Sequence, residues 1–134
     1  MLAPIATALL LASVSGPLQV DVGRADWSAL PPLKAVQRVL PSTDMVDKVE
    51  TMLESGSCKL PGQSAKKFDI TIPYAVLVEP DGKAKRVIVA ETGCAELETF
   101  VGIIVTAMAR EGDFRPTNEA KARWFASELN FNLQ

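Results

Sequence analysis

From residue 68 onward the chain alternates between apolar and more polar or smaller positions. Ile70, Ile72, Tyr74, Val76 and Val78 interleave with Thr71, Pro73, Ala75, Leu77 and Glu79, the period of two that a strand imposes on its side chains. Pro80-Asp81-Gly82-Lys83 follows; Asp-Gly supplies the backbone freedom of a tight hairpin. Arg86–Ala90, RVIVA, is a second strand rich in β-branched residues. Pro73 is discordant in a central strand, because it has no N–H to give to a ladder, and it predicts a bulge or a strand end. After Gly93 the period changes to that of a helix. Leu97, Phe100, Val101, Ile104, Val105 and Met108 fall on one face of a segment running to about Arg110. Gly102 inside it disfavours the helix by about 1 kcal/mol against Ala, which points to close packing on a sheet. Phe114-Arg115-Pro116 ends this segment. Alternation then returns in Trp124–Leu133, with Phe125, Leu129, Phe131 and Leu133 opposed to Glu128, Asn130 and Asn132.

Upstream the pattern is weaker. Residues 16–41 read as a loosely ordered lead-in. Leu33, Val36, Val39 and Leu40 allow a short helix after Pro31-Pro32. Ser42 is placed to cap a second helix carrying Met45, Val46, Val49, Met52 and Leu53, and Gly56 to end it. Residues 57–67 are a turn-rich connector.

These elements order themselves. A helix joining two strands of one sheet crosses its face, so the last strand returns parallel to the second and antiparallel to the first, and pairs beside the first. The expected fold is α+β: a three-stranded antiparallel sheet, order 2-1-3, with the crossing helix on one face and accessory helices N-terminal to it. The last strand is left as an open edge.

Composition narrows the chemistry. In 134 residues there are 14 Lys and Arg against 16 Asp and Glu, a formal charge of −2. No basic excess exists to displace counterions from phosphates, which argues against nucleic acid as a partner. The basic residues Lys59, Lys66, Lys67, Lys83, Lys85 and Arg86 read as a solvated flank. Histidine is absent, so imidazole-based triads, the usual neutral-pH base and His-ligated zinc are absent with it. Asp81 reads as a turn residue, Glu96 and Glu98 as helix-start charges, and Glu111 and Asp113 as solvated. No phosphate loop or nucleophile elbow occurs. An enzyme is not the expectation, no cofactor or metal is implied, and a small hydrolase stands only as the lesser alternative.

Residues 2–14, LAPIATALLLASV, are uncharged. They fall short of the ~20 residues of a membrane span but suit the core of a secretory signal ending near Ser13 and Ser15, so residues 1–15 are expected to be a signal peptide. A buried N-terminal helix is the competing reading. Cys58 and Cys94 lie 36 positions apart with no other ligand beside them. They are either buried thiols or, in an exported chain, a disulfide. Export favours the disulfide.

The ordered series Tyr74-Ala75-Val76-Leu77-Val78-Glu79-Pro80-Asp81-Gly82, Val87–Val89, Leu97-Glu98, Phe114-Arg115-Pro116, Trp124 and Asn130-Phe131 resembles the C-terminal domain of TonB energy transducers. The resemblance covers about residues 68–134. It does not extend to the histidine-bearing anchor or the proline-rich linker of full transducers. It implies a periplasmic or secreted domain that takes a partner strand, such as a segment of an outer-membrane receptor, at its terminal edge. That edge would be read by Trp124, Phe125, Glu128, Asn130 and Asn132, with the membrane contacted only indirectly. A self-associating module of the cell envelope, dimeric through the last strand, is the alternative.

Overall fold

A computed structural model describes residues 18–24, 26–34, 41–112 and 114–134. In chain order they form β1 (Gln19–Gly23), α1 (Thr43–Ser55), β2 (Phe68–Val78), β3 (Ala84–Ala90), α2 (Ala95–Arg110) and β4 (Arg123–Leu133). The expected signal segment, and all of the expected first helix beyond Lys34, lie outside the described residues.

Each element begins and ends for local reasons. The hydroxyl of Ser42 accepts the Met45 N–H at 3.2 Å, and Gly56, in the left-handed conformation, ends α1 by donating to Leu53 O. The β2–β3 hairpin closes on Gly82, whose N–H donates to Glu79 O at 2.8 Å. A Cβ on Gly82 would stand 2.8 Å from Phe114 O, so the Pro80–Gly82 turn and the Phe114–Pro116 segment share one packed corner. Thr117 N–H donates to Pro80 O across it.

The α+β class is as expected, but the sheet has four strands in the order β1-β3-β2-β4, and it is mixed. The three strands read from the sequence take the anticipated places, with β2 central and antiparallel to both β3 and β4. The correction is β1, which pairs parallel to β3 from Gln19↔Arg86 to Gly23↔Ala90, inside what the sequence suggested was a loosely ordered lead-in. Five residues at a sheet edge carry little signal of their own, and pairing to β3 is what fixes them. Pro73 sits one residue past the last β2–β3 pair, Tyr74↔Val89, so its missing N–H removes no bond on that side.

Both helices lie on one face. Phe68, Ile72, Tyr74 and Val76 of β2, Val87 and Val89 of β3, and Phe131 of β4 are all buried there with Leu97, Val101 and Val105 of α2. Val49 and Met52 of α1 belong to the same cluster. Burying each large apolar side chain contributes about 1.5–3 kcal/mol. Gly102 is as close-packed as expected, since a Cβ there would stand 2.9 Å from Val20 Cγ1. Cys58, just past α1, and Cys94, which precedes α2, are joined by a disulfide, and such bonds persist in oxidising compartments. None of the described helices is long and apolar enough to cross a membrane.

Two ion pairs fasten β1 and its exit to the β3 side, Arg86–Asp21 at 2.8 Å and Arg24–Glu91 at 2.6 Å. The hydrogen bond from Arg86 holds the Asp21 carboxyl below its ordinary range, and that from Arg24 does the same to Glu91. Folded-state values below the unfolded ones mean that these pairs support β1 at neutral pH. Their support is lost as pH falls through the ordinary values of 3.8 and 4.5 and below. The amides of Gln19, Asp21 and Gly23 are therefore expected to lose hydrogen-exchange protection, corrected for intrinsic rates, before those of β2 and β4 on acidification. Protection that falls in step across all strands would show that the pairs do not hold β1.

Candidate functional site

All eleven residues of β4 pair with β2, from Arg123↔Val78 to Leu133↔Phe68. The opposite side of β4 is the sheet edge, and the sequence expectation of a wholly open edge needs one correction. Pro31–Leu33 lies against it: Ala126 N–H donates to Pro31 O at 3.0 Å and Leu33 N–H donates to Ala126 O at 2.9 Å, a parallel bridge between Pro32 and Ala126. Leu33, expected to open a helix, is extended and bonded to the strand instead. Trp27, Leu30, Pro32 and Leu33 share a groove with Pro73, Ala126 and Glu128, so this strap runs over the helix-free face of the sheet before reaching the edge. Arg115 N–H donates to Lys34 O at 3.0 Å, and residues 115–119 continue the cover past the strap.

The bridge at Ala126 fixes the direction of every backbone group on β4. In an antiparallel ladder, residues alternate between facing the partner and facing away. Ala126 sends both its N–H and its C=O outward, and so do Trp124, Glu128, Asn130 and Asn132, two and four residues away in phase. The same parity makes Pro73↔Glu128 a pair without ladder bonds, so Pro73 can occupy β2 on this side too. Around Ala126 the edge is closed by the strap. From Glu128 to Asn132 no backbone bond is made outward among the described residues.

The site residues read from the sequence divide by face. Trp124, half-buried, and the exposed Glu128, Asn130 and Asn132 share the helix-free face, opposite Leu77, Pro73, Thr71 and Asp69. The Asn130 amide donates to Asp69 Oδ1 at 2.6 Å and Thr71 Oγ1 at 2.8 Å, so its side chain locks β4 to β2 and leaves its backbone for the edge. Phe125 belongs to the other face: it is 9% exposed, opposite Val76 in the core. Ser127 shares that face and hydrogen-bonds Tyr74, whose phenol is pushed up by burial, an effect the Ser127 bond opposes.

Sequence reasoning missed the strap and Ala126. The available signal was Pro31-Pro32, a pair without N–H groups that suits a strand edge as well as a helix start. Glu98, read as a helix-start charge, does more than that. Its Oε2 accepts Thr92 N–H at 2.6 Å, Thr92 Oγ1 at 2.9 Å and Gly93 N–H at 3.1 Å, and it is the buried charged residue among those described. These bonds shape the turn that carries Cys94. No cluster of metal-binding side chains occurs among the described residues. No family model, no curated protein and no solved structure matches the chain.

Proposed function

We propose that this protein is an exported protein-interaction domain of the TonB C-terminal type, working in the periplasm, which binds an extended partner segment by strand addition at β4. The observation that carries the reading is the outer edge of β4 from Glu128 to Asn132. There three outward-facing residues, Glu128, Asn130 and Asn132, follow the strap's bridge at Ala126 and make no outward backbone bond among the described residues. An incoming strand gains ladder bonds from the backbone of Glu128, Asn130 and Asn132, and selectivity from the exposed Glu128 and Asn132 side chains. The disulfide suits the oxidising compartment the reading requires, and the resemblance of the ordered motif series to TonB domains suggests segments of outer-membrane receptors as partners.

Glu128→Pro tests this cleanly. The Glu128 N–H points away from β2, so proline removes an edge donor without removing a β2 ladder bond. Peptides carrying periplasm-facing receptor segments are titrated by fluorescence anisotropy, with folding checked by circular dichroism. The parent is expected to bind, and the folded variant to bind about tenfold more weakly, the worth of one or two ladder bonds. A folded variant that captures the same peptides as well as the parent would rule out edge pairing as the binding mode.

A further inference from the structure

The sheet has a second edge, and its chemistry is the opposite of that at β4. Gly23 O accepts the Glu91 N–H at 3.0 Å, so Gln19, Asp21 and Gly23 turn their backbone toward β3 while Val20 and Val22 turn theirs outward. The side chains of Val20 and Val22 stand on the helix face, in register with Val87 and Val89. Val20 is 39% exposed, Val22 49% and Ile103 of α2 61%; these are the exposed large hydrophobic residues among those described. All three line a single groove of about 410 Å³ between β1 and α2. An unpaired strand edge bordered by exposed apolar side chains is a pairing surface.

The charges along α2 say what would cover it. Glu96 and Arg110 are each seven residues from Ile103, so all three share one helix face to within about 20° per heptad. Both are exposed, and neither makes an ion pair among the described residues. The stripe is thus acidic at one end, apolar at its centre and basic at the other, which is complementary to itself when two copies run antiparallel. The strand obeys the same symmetry. A two-fold axis at Val20 pairs Val20 with its equivalent and Leu18 with Val22 of the second copy, all through outward-facing backbone. It sets Asp21 opposite Gln19, whereas the register one step on would set Asp21 against Asp21. Gly102 lies against Val20, so an axis through Val20 passes beside Ile103 and the strand and helix symmetries coincide. Gly102 stands over Val20 and Val89, so the exposed Glu96, Ile103 and Arg110 of the two copies face one another across the joined β1 strands.

We propose that β1 and the Glu96–Ile103–Arg110 face of α2 form the isologous interface of a two-fold homodimer, in which the sheets of two copies join into one. The dimer so formed leaves both β4 edges at the far ends of the joined sheet, so it neither depends on nor competes with strand addition there.

The test is size-exclusion chromatography with light scattering over a micromolar dilution series of the protein as purified, with folding of every variant checked by circular dichroism. The parent is expected to be a dimer. Ile103→Lys and Val22→Lys, both at exposed positions, are expected to weaken it by at least about tenfold. Glu96→Arg alone places Arg opposite Arg110 of the second copy and weakens association about tenfold. Glu96→Arg combined with Arg110→Glu is expected to restore the parental dimer, although it puts both charges at unfavourable helix ends in the monomer. A monomer at every concentration overturns the proposal. So does a dimer indifferent to Ile103→Lys, a charge swap that restores nothing, or a dimer broken by Glu128→Pro and untouched by Val22→Lys.

Discussion

Replacing both cysteines, Cys58→Ala with Cys94→Ala, is expected to lower the unfolding free energy by about 3.8 kcal/mol, the chain-entropy value for a loop of this length. In a domain of this size that is a fall in melting temperature of roughly 10–20 °C. The bond spans 36 positions of sequence, and the loop it closes holds the connector after α1, all of β2 and β3, and the turn before α2. Without it, the unfolded chain gains the freedom of that whole loop, while the folded chain loses two small buried side chains at a junction. The effect therefore resides mainly in the unfolded state. Urea unfolding should show it as a lower midpoint together with a steeper dependence on denaturant, because an uncrosslinked unfolded chain exposes more surface. A loss under about 1 kcal/mol with an unchanged slope would mean that the uncrosslinked unfolded chain keeps residual structure that holds the two ends of this loop together, so that the bond restricts it little.

The placing of that bond was legible because each part had its own signal. Ser42 and Gly56 bracket α1, the period change after Gly93 marks α2, and an even cysteine pair behind an expected signal segment favours a bridge between them. The β2–β3 hairpin, α2 and β4 were legible for a related reason: each is long enough for its period to show, and each is amphipathic because one of its faces meets the core. β1 is not of that kind. Leu18, Val20 and Val22 do alternate with Gln19 and Asp21, but the run is short. Its valines remain partly exposed, and the strand exists because β3 offers a parallel edge. The strap is harder still. Nothing in Pro31-Pro32-Leu33 names Ala126, 94 positions after Pro32, as its partner.

The candidate site shows the same division within one strand. That Trp124, Glu128, Asn130 and Asn132 share a face follows from period two alone, and the same rule sets Phe125 apart on the core side. Which backbone groups point outward does not follow from period. It depends on the ladder phase, which only the Ala126 bridge reveals. The two sheet edges also contrast in a way that composition hid. The β4 edge is polar beyond a proline-capped stretch, as suits an edge that pairs with selected partners and resists indiscriminate ones. The β1 edge is apolar and bordered by a self-complementary helix face. An overall charge of −2 says nothing of either.

Because β4 presents one face to the core and the other to the edge site, neighbouring substitutions on it should differ by an order of magnitude. Phe131→Ala is expected to destabilise the fold by about 3–5 kcal/mol. Phe131 is fully buried, stands opposite Ile70 in the ladder, and its ring lies 6.1 Å from that of Phe100 on α2. Truncation therefore removes apolar burial and leaves a cavity where helix and sheet meet, which a close-packed core cannot close by relaxing. Asn132→Ala, one residue on, removes an exposed amide and is expected to change stability by no more than about 0.5 kcal/mol. Equilibrium urea unfolding of the two variants measures the contrast, and peptide anisotropy on the same samples separates stability from binding. Asn132→Ala should retain the parental midpoint whatever it does to the partner. Phe131→Ala should lower the midpoint far more than it alters the affinity of the fraction that remains folded. Similar midpoints for the two variants would show that the Phe131 cavity collapses at little cost and that β4 is held chiefly by its ladder to β2.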